Sequence, residues 1–117
     1  MIVRKVTEAG RAPRSGELFV GAHDYQLVLG STDSSQFSIA ELTFRDGART
    51  KPHVHGSEQV IVVMSGRGLI GTRDAEQEIG VGDVVLLGRD EAHWHGVREG
   101  GDVTFWSILG PHKTRLA

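Results

Sequence analysis

The sequence predicts an all-β fold, a sandwich or barrel, on three observations. Short apolar segments recur at a spacing of roughly ten residues. Turn-forming residues lie between them. No window of about ten residues carries a helical stripe free of glycine or proline, so helix is at most a minor component.

Taken in order, Glu8 to Glu17 (EAGRAPRSGE) is polar and rich in turn formers, and reads as a loop. The strand candidates are Leu18–Val20, Tyr25–Leu29, Phe37–Phe44, Gln59–Met64, Gly68–Thr72, Val84–Leu87 and Val103–Leu109. Phe37–Phe44 alternates in part, as a half-buried strand does, whereas Val60–Met64 is continuously apolar and is expected to be buried on both faces. Turn signals fall at Gly30-Ser31, Asp46-Gly47, Ser65-Gly66, Gly80, Gly82-Asp83 and Gly100-Gly101-Asp102. No linker, repeat or low-complexity tract interrupts the series, so residues 1–117 read as a single domain.

Composition narrows the function. Hydrophobic residues make up 38% and charged residues 24% of 117, enough for an ordinary core without staples, so a metal here would serve function rather than folding. The net charge of −2 and the absence of a Lys/Arg block disfavour a nucleic-acid partner. No apolar run approaches the roughly 18–20 residues of a membrane span. With no cysteine and no apolar signal-like segment in Met1–Gly10, a cytoplasmic location is the default expectation. A short barrel with exposed edge strands is expected to pair as a homodimer, with Ile2-Val3 and Phe105-Trp106 as candidate contacts.

The chemistry concentrates in two stretches. In Lys51-Pro52-His53-Val54-His55-Gly56-Ser57-Glu58-Gln59 the two histidines are two residues apart. On a strand that spacing puts them on one side, about 6.5–7 Å apart along the chain. Two imidazoles so placed can converge on one ion. Gln59 shares their parity if the intervening turn preserves it, and Glu58 then points away. The second stretch, Glu91-Ala92-His93-Trp94-His95, follows the Val84–Leu87 strand and repeats the pattern. Four of the six histidines thus fall in two His-x-His pairs, while His23 and His112 read as surface residues.

These residues resemble the cupin superfamily, in particular its small single-domain metal-binding members. Gly47, His53, His55, Gln59 and Gly66 follow the spacing of the first cupin motif, with Gln59 where the family usually has glutamate. Gly82, Gly88, Asp90 and His93 follow the second motif. There the family usually has proline and glycine at the positions of Gly88 and Asp90, and asparagine at that of Val97. The resemblance spans about residues 47–97. It implies a double-stranded β-helix, or jelly-roll barrel, with a metal inside its mouth. It carries ligand roles onto His53, His55 and His93, with Gln59 favoured over Glu58 as the fourth.

Three imidazoles and an amide would leave a divalent ion's charge uncompensated and favour anionic substrates. The mixed N/O set suits one divalent transition-metal ion (Fe, Mn, Ni, Cu, Co or Zn) without choosing among them. Arg49 and Lys51 share parity with His53 and are candidates for a substrate carboxylate, although solvated charges are the blander reading. His95 is a candidate proton shuttle or a support behind a ligand, with a histidine of the rim as the alternative reading, and Glu58 is a second proton-moving candidate. Tyr25, Phe44, Trp94 and Trp106 could line a pocket, though core is the commoner place for aromatics, and Arg67 and Arg73 read as surface. The resemblance implies an enzyme acting on a small organic molecule. Dioxygenase-type oxidoreductase chemistry comes first, metal-dependent isomerase or lyase chemistry through an enolate second. A non-catalytic small-molecule-binding or sensor cupin is the alternative from another class.

Overall fold

Twelve strands form in the computed structural model, which describes residues 1–117. They are β1 (Ala12–Pro13), β2 (Phe19–Val20), β3 (His23–Leu29), β4 (Ser38–Arg45), β5 (Arg49–Thr50), β6 (His53–His55) and β7 (Gln59–Thr72). Then follow β8 (Glu76–Gly80), β9 (Val84–Leu87), β10 (His93–Gly96), β11 (Asp102–Leu109) and β12 (Thr114–Leu116). A single 3₁₀ turn at Glu8–Gly10 sits in the expected N-terminal loop.

All pairings are antiparallel, and β7 joins two sheets into a jelly roll. Its first half pairs with β11 and β9, in a sheet that continues through β4, β3 and β1. Its second half pairs with β8 and β10, and β10 leads on to β5, β2, β6 and β12. The expected turn at Ser65-Gly66 is therefore a bend within one long strand. Gly66 has φ +72°, and a side chain there would collide with the Asp102 carbonyl. The β7–β11 register slips beside it, between Thr104 and Phe105. A glycine bend lets one strand serve both sheets.

The inward faces of three strands change character along their length. On β4 the inward series runs Ser38, Ala40, Leu42, Phe44; on β11 it runs Leu109, Ser107, Phe105, Val103; on β7 it runs Gln59, Ile61, Val63. The apolar ends meet as the core, where Phe44 and Phe105 are wholly enclosed and stack with centroids 5.6 Å apart. Burial of each such ring is worth about 1.5–3 kcal/mol. The other ends, small or polar, surround a cavity.

Two expectations need correction here. Val60–Met64 is not buried on both faces: Ile61 and Val63 are buried, while Val60 and Val62 are half-buried and Met64 is exposed. No other segment covers Val60, Val62 and Met64, which stand outward beside exposed Val84 and Leu86 of β9, although Glu41, Thr43 and Thr104 are buried elsewhere on that face. Phe105 cannot contribute to self-association, because β11 lies between β4 and β7 and its ring is in the core. Trp106 points the other way and donates to Glu41 at 3.4 Å.

Candidate metal centre

Strand register brings the histidines together. His93 of β10 lies directly opposite His53 of β6, with ring centroids 4.4 Å apart. His55, two residues along β6, adds a ring 5.2 Å from His93. One ring nitrogen from each of His53, His55 and His93 lies within 4.8 Å of the others, and all three residues are buried. Donors across an ion at about 2.1 Å are at most about 4.2 Å apart, so closing on a metal needs movements of less than about an ångström.

Hydrogen bonding fixes which nitrogen faces inward. His53 Nδ1 meets the Lys51 carbonyl at 2.8 Å, His93 Nδ1 meets the Glu91 carbonyl at 2.9 Å, and His55 Nδ1 meets Thr114 Oγ1 at 2.8 Å. A carbonyl can only accept, so His53 and His93 carry their proton on Nδ1, and Nε2 is left as a lone pair. The His55 and His93 Nε2 atoms are buried without a protein partner. Rings held from behind by a hydrogen-bond partner, with Nε2 turned inward, are the arrangement that metal-binding histidines use.

Gln59 completes the donor set. It is buried, and its amide nitrogen donates to Ser107 Oγ at 2.8 Å, leaving Oε1 enclosed and unpartnered. The orphan oxygen is the one a cation would take up. Glu58 corrects an expectation: its side chain is exposed and lines no part of the cavity, so it neither reaches the histidines nor moves a proton there. The turn Gly56-Ser57-Glu58 preserves the parity of His55 and Gln59 and turns Glu58 to solvent.

Burial keeps the imidazoles neutral. Desolvation pushes His53 down to about 4, with the neighbouring His93 adding to it. Desolvation, then His53 and His93, push His55 to about 3. His93 is lowered by desolvation, and fully enclosed His95 is lowered well below its ordinary value by desolvation and the surrounding imidazoles. Neutral imidazole is the form that binds a metal without first losing a proton. Three neutral rings and an amide therefore fit a divalent transition-metal ion.

His95 differs from its neighbours. Its ring packs edge-on against Phe105 and Phe44, at 5.1 and 5.5 Å, and its Nδ1 has no partner. Its backbone N–H donates to Thr50 Oγ1 at 3.1 Å. It lines the cavity with His53, His55 and Gln59 at the boundary with the core.

That cavity is about 160 Å³, walled by Leu18, Phe19, Ala40, Leu42 and Leu109, with Ser38, Ser107, Thr114 and His112 as further polar groups. Two histidines read as surface residues prove otherwise. His112 is half-buried, lines the cavity and bonds through Nδ1 to the Gly110 carbonyl at 2.8 Å. His23 is buried, stacks on Phe19 at 4.2 Å, and is pushed down to about 4, mainly by desolvation. Of the four aromatic candidates only Tyr25 lines the cavity; Phe44 is core, and Trp94 and Trp106 face outward. Arg49 and Lys51 are exposed and outside the lining; the Arg49 guanidinium lies 5.8 Å from the Trp94 ring centre. Arg67 and Arg73 are exposed, as expected.

Sequence reasoning missed Arg14, Ser107 and Thr114. Ser107 shares the inward parity of Leu109 and Phe105 and could have been found from it. Arg14 sits in what reads as a polar loop, and Thr114 in a three-residue strand without an apolar pattern.

Comparison with known proteins places this geometry in context. Residues 40–109 match the family described as Cupin domain. The chain is 31% identical over 97 residues to (R)-mandelonitrile lyase of Granulicella tundricola, spanning 82% of this chain and 74% of that one. Among solved structures, a cupin-like protein of Thermotoga maritima superimposes with a TM-score of 0.83 at 23% identity, covering 94% of this chain and 87% of that one. An acetylacetone dioxygenase of Acinetobacter johnsonii does so at 0.76 and 14% identity, covering 96% and 76%. Both structural likenesses concern the fold alone.

Proposed function

The chain belongs to the cupin domain family, and from that premise we propose that it is a metal-dependent lyase acting on a small oxygen-bearing organic molecule. His53, His55, Gln59 and His93 would hold the ion. The observation that carries the reading is this donor set: inward Nε2 atoms and one orphan amide oxygen, with no carboxylate among them. When bound, the ion supplies Lewis-acid stabilisation to an oxygen that gains negative charge.

The remaining work falls to the chain's own residues. A cavity of about 160 Å³ is comparable with one of about 150 Å³ that accommodates benzene in another protein, so it suits one ring or its aliphatic equivalent plus a few atoms. Leu18, Phe19, Leu42 and Leu109 exclude water from that part. His112 is the group best suited to take a hydroxyl proton. Its Nδ1 is committed to Gly110, so Nε2 is the acceptor, and its half-exposed ring stays hydrated once charged. His95 suits that task less well, because a charge there would sit enclosed beside other imidazoles; it serves as a neutral hydrogen-bonding wall.

Lyase chemistry needs no external oxidant. For a 2-hydroxynitrile, the O–H proton passes to His112 Nε2 and the oxygen pair forms C=O. The adjacent C–C bond breaks, and its electron pair leaves with cyanide, which takes the proton back from His112 and departs as hydrogen cyanide. The 31% identical relative is a lyase, whereas the dioxygenase likeness concerns fold alone, so lyase stands ahead of oxygenase chemistry.

The test is to reconstitute metal-free protein with single divalent metals, add mandelonitrile, and record benzaldehyde release and O₂ uptake together. Aldehyde release that scales with bound metal, without O₂ uptake, and that disappears along with the metal in Gln59→Ala, is expected. Oxygen uptake without aldehyde release would sink the lyase reading.

A further inference from the structure

Arg14 is the one arginine or lysine among the residues lining the cavity, and no Asp or Glu lines it. Its guanidinium carbon lies 4.2 Å from the Tyr25 ring centre and 5.2 Å from that of Phe19. Both rings line the same cavity. Its backbone N–H donates to the His23 carbonyl at 3.0 Å, which ties the segment to β3. Arg4, Arg11, Arg45, Arg67 and Arg89 each meet a carboxylate, but Arg14 takes part in none of these five ion pairs.

A guanidinium lying on aromatic faces keeps its N–H edge available, and that edge matches a carboxylate in a bidentate manner. Apart from the ion the histidines would hold, Arg14 is the one positive charge an anion meets among the residues lining this cavity, and no carboxylate there opposes it. We propose that Arg14 is a specificity-determining residue that recognises a carboxylate, so that the site takes small hydroxy- or oxo-carboxylates with their oxygen directed to the histidine cluster. This goes beyond the lyase reading, whose hydroxynitrile carries no carboxylate, by assigning a second class of ligand to the same cavity, and it does not rest on that reading. It also replaces Arg49 and Lys51, the cationic candidates drawn from the sequence.

The experiment measures binding, by calorimetry, of mandelate and of neutral mandelamide to the metal-loaded protein and to Arg14→Leu and Arg14→Lys. Arg14 is exposed, so both variants are expected to fold and to retain the metal content of the parent. Mandelate should bind about tenfold or more tighter than mandelamide, and Arg14→Leu should cost mandelate about tenfold while costing mandelamide, which offers the guanidinium only a neutral carbonyl, much less. Arg14→Lys should recover part of it. Equal mandelate affinity in parent and Arg14→Leu would overturn the proposal, as would a parallel loss for both ligands, which marks a structural role. Carboxylate selectivity in a parent that releases no benzaldehyde from mandelonitrile would instead refute the lyase reading and leave Arg14's role standing.

Discussion

His53-Val54-His55 and His93-Trp94-His95 are the same three-residue pattern on paired strands, yet they contribute differently. The first offers both rings to the candidate metal centre, the second only one. What separates them lies behind the rings. His53 and His93 each turn Nδ1 to the backbone carbonyl two residues earlier, and His55 meets Thr114 on the neighbouring strand. His95 has no acceptor for Nδ1 and leans on Phe44 and Phe105 instead. Spacing brings an imidazole to the right face of a strand; a partner behind the ring decides whether its other nitrogen is aimed and held.

The largest effect follows from that contrast. His93→Ala removes a donor and should lower metal affinity by more than about 100-fold, a floor taken from the loss of outer hydrogen bonds alone. His95→Leu should leave the bound metal within a few-fold of the parent. Metal content after dialysis, measured by plasma mass spectrometry, checks both. Equal metal loss in the two variants would erase the distinction between the pairs.

Acid should expose what the pairs share. The rings are neutral in the folded chain, with His53 at about 4 and His55 at about 3, while His95 is also strongly lowered. Unfolded histidine titrates near 6.5. The unfolded chain therefore binds more protons in this window, so stability increases with pH. In the metal-free protein this contribution is fully present above about pH 6.5 and is lost as pH falls toward about 3. The urea midpoint of metal-free protein should be lower at pH 5 than at pH 7, and His95→Leu should reduce that difference. A midpoint unchanged between the two pH values would contradict the burial argument.

Much of this was legible in advance because strand patterns and metal spacing are local. The inward parity of His53, His55 and Gln59 and the outward turn of Glu58 follow from period-two alternation across one short turn, whereas the all-β class follows from strand spacing and the jelly roll from the resemblance to the cupin family. The family's glycine position, occupied here by Asp90, still adopts φ +60°, so the backbone turn before His93 survives the substitution. What could not be read depends on contacts between distant segments. His23 is hidden by stacking on Phe19 and Phe44, and His112 reaches the cavity from beyond β11. The outer face of Val60–Met64 stays uncovered because no other layer packs on it, and an apolar run alone does not reveal that.

The smallest predicted effect bears most directly on the contrast between the two pairs. Thr114 stands opposite His55 in the β12–β6 register, and its hydroxyl is the partner of His55 Nδ1. Thr114→Val keeps the side-chain shape but deletes the hydroxyl, so His55 would be left without a partner at Nδ1, as His95 is. If the partner behind the ring is what makes a ligand, affinity for the metal should fall by about tenfold, and Thr114→Ser should restore it. Competition with a chromogenic chelator measures the change, while a circular-dichroism melt of the metal-free variants shows whether the fold is unaltered. Unchanged affinity in a folded Thr114→Val protein would mean that strand position alone aims His55, and the difference between His55 and His95 would then have to come from the aromatic core beneath His95.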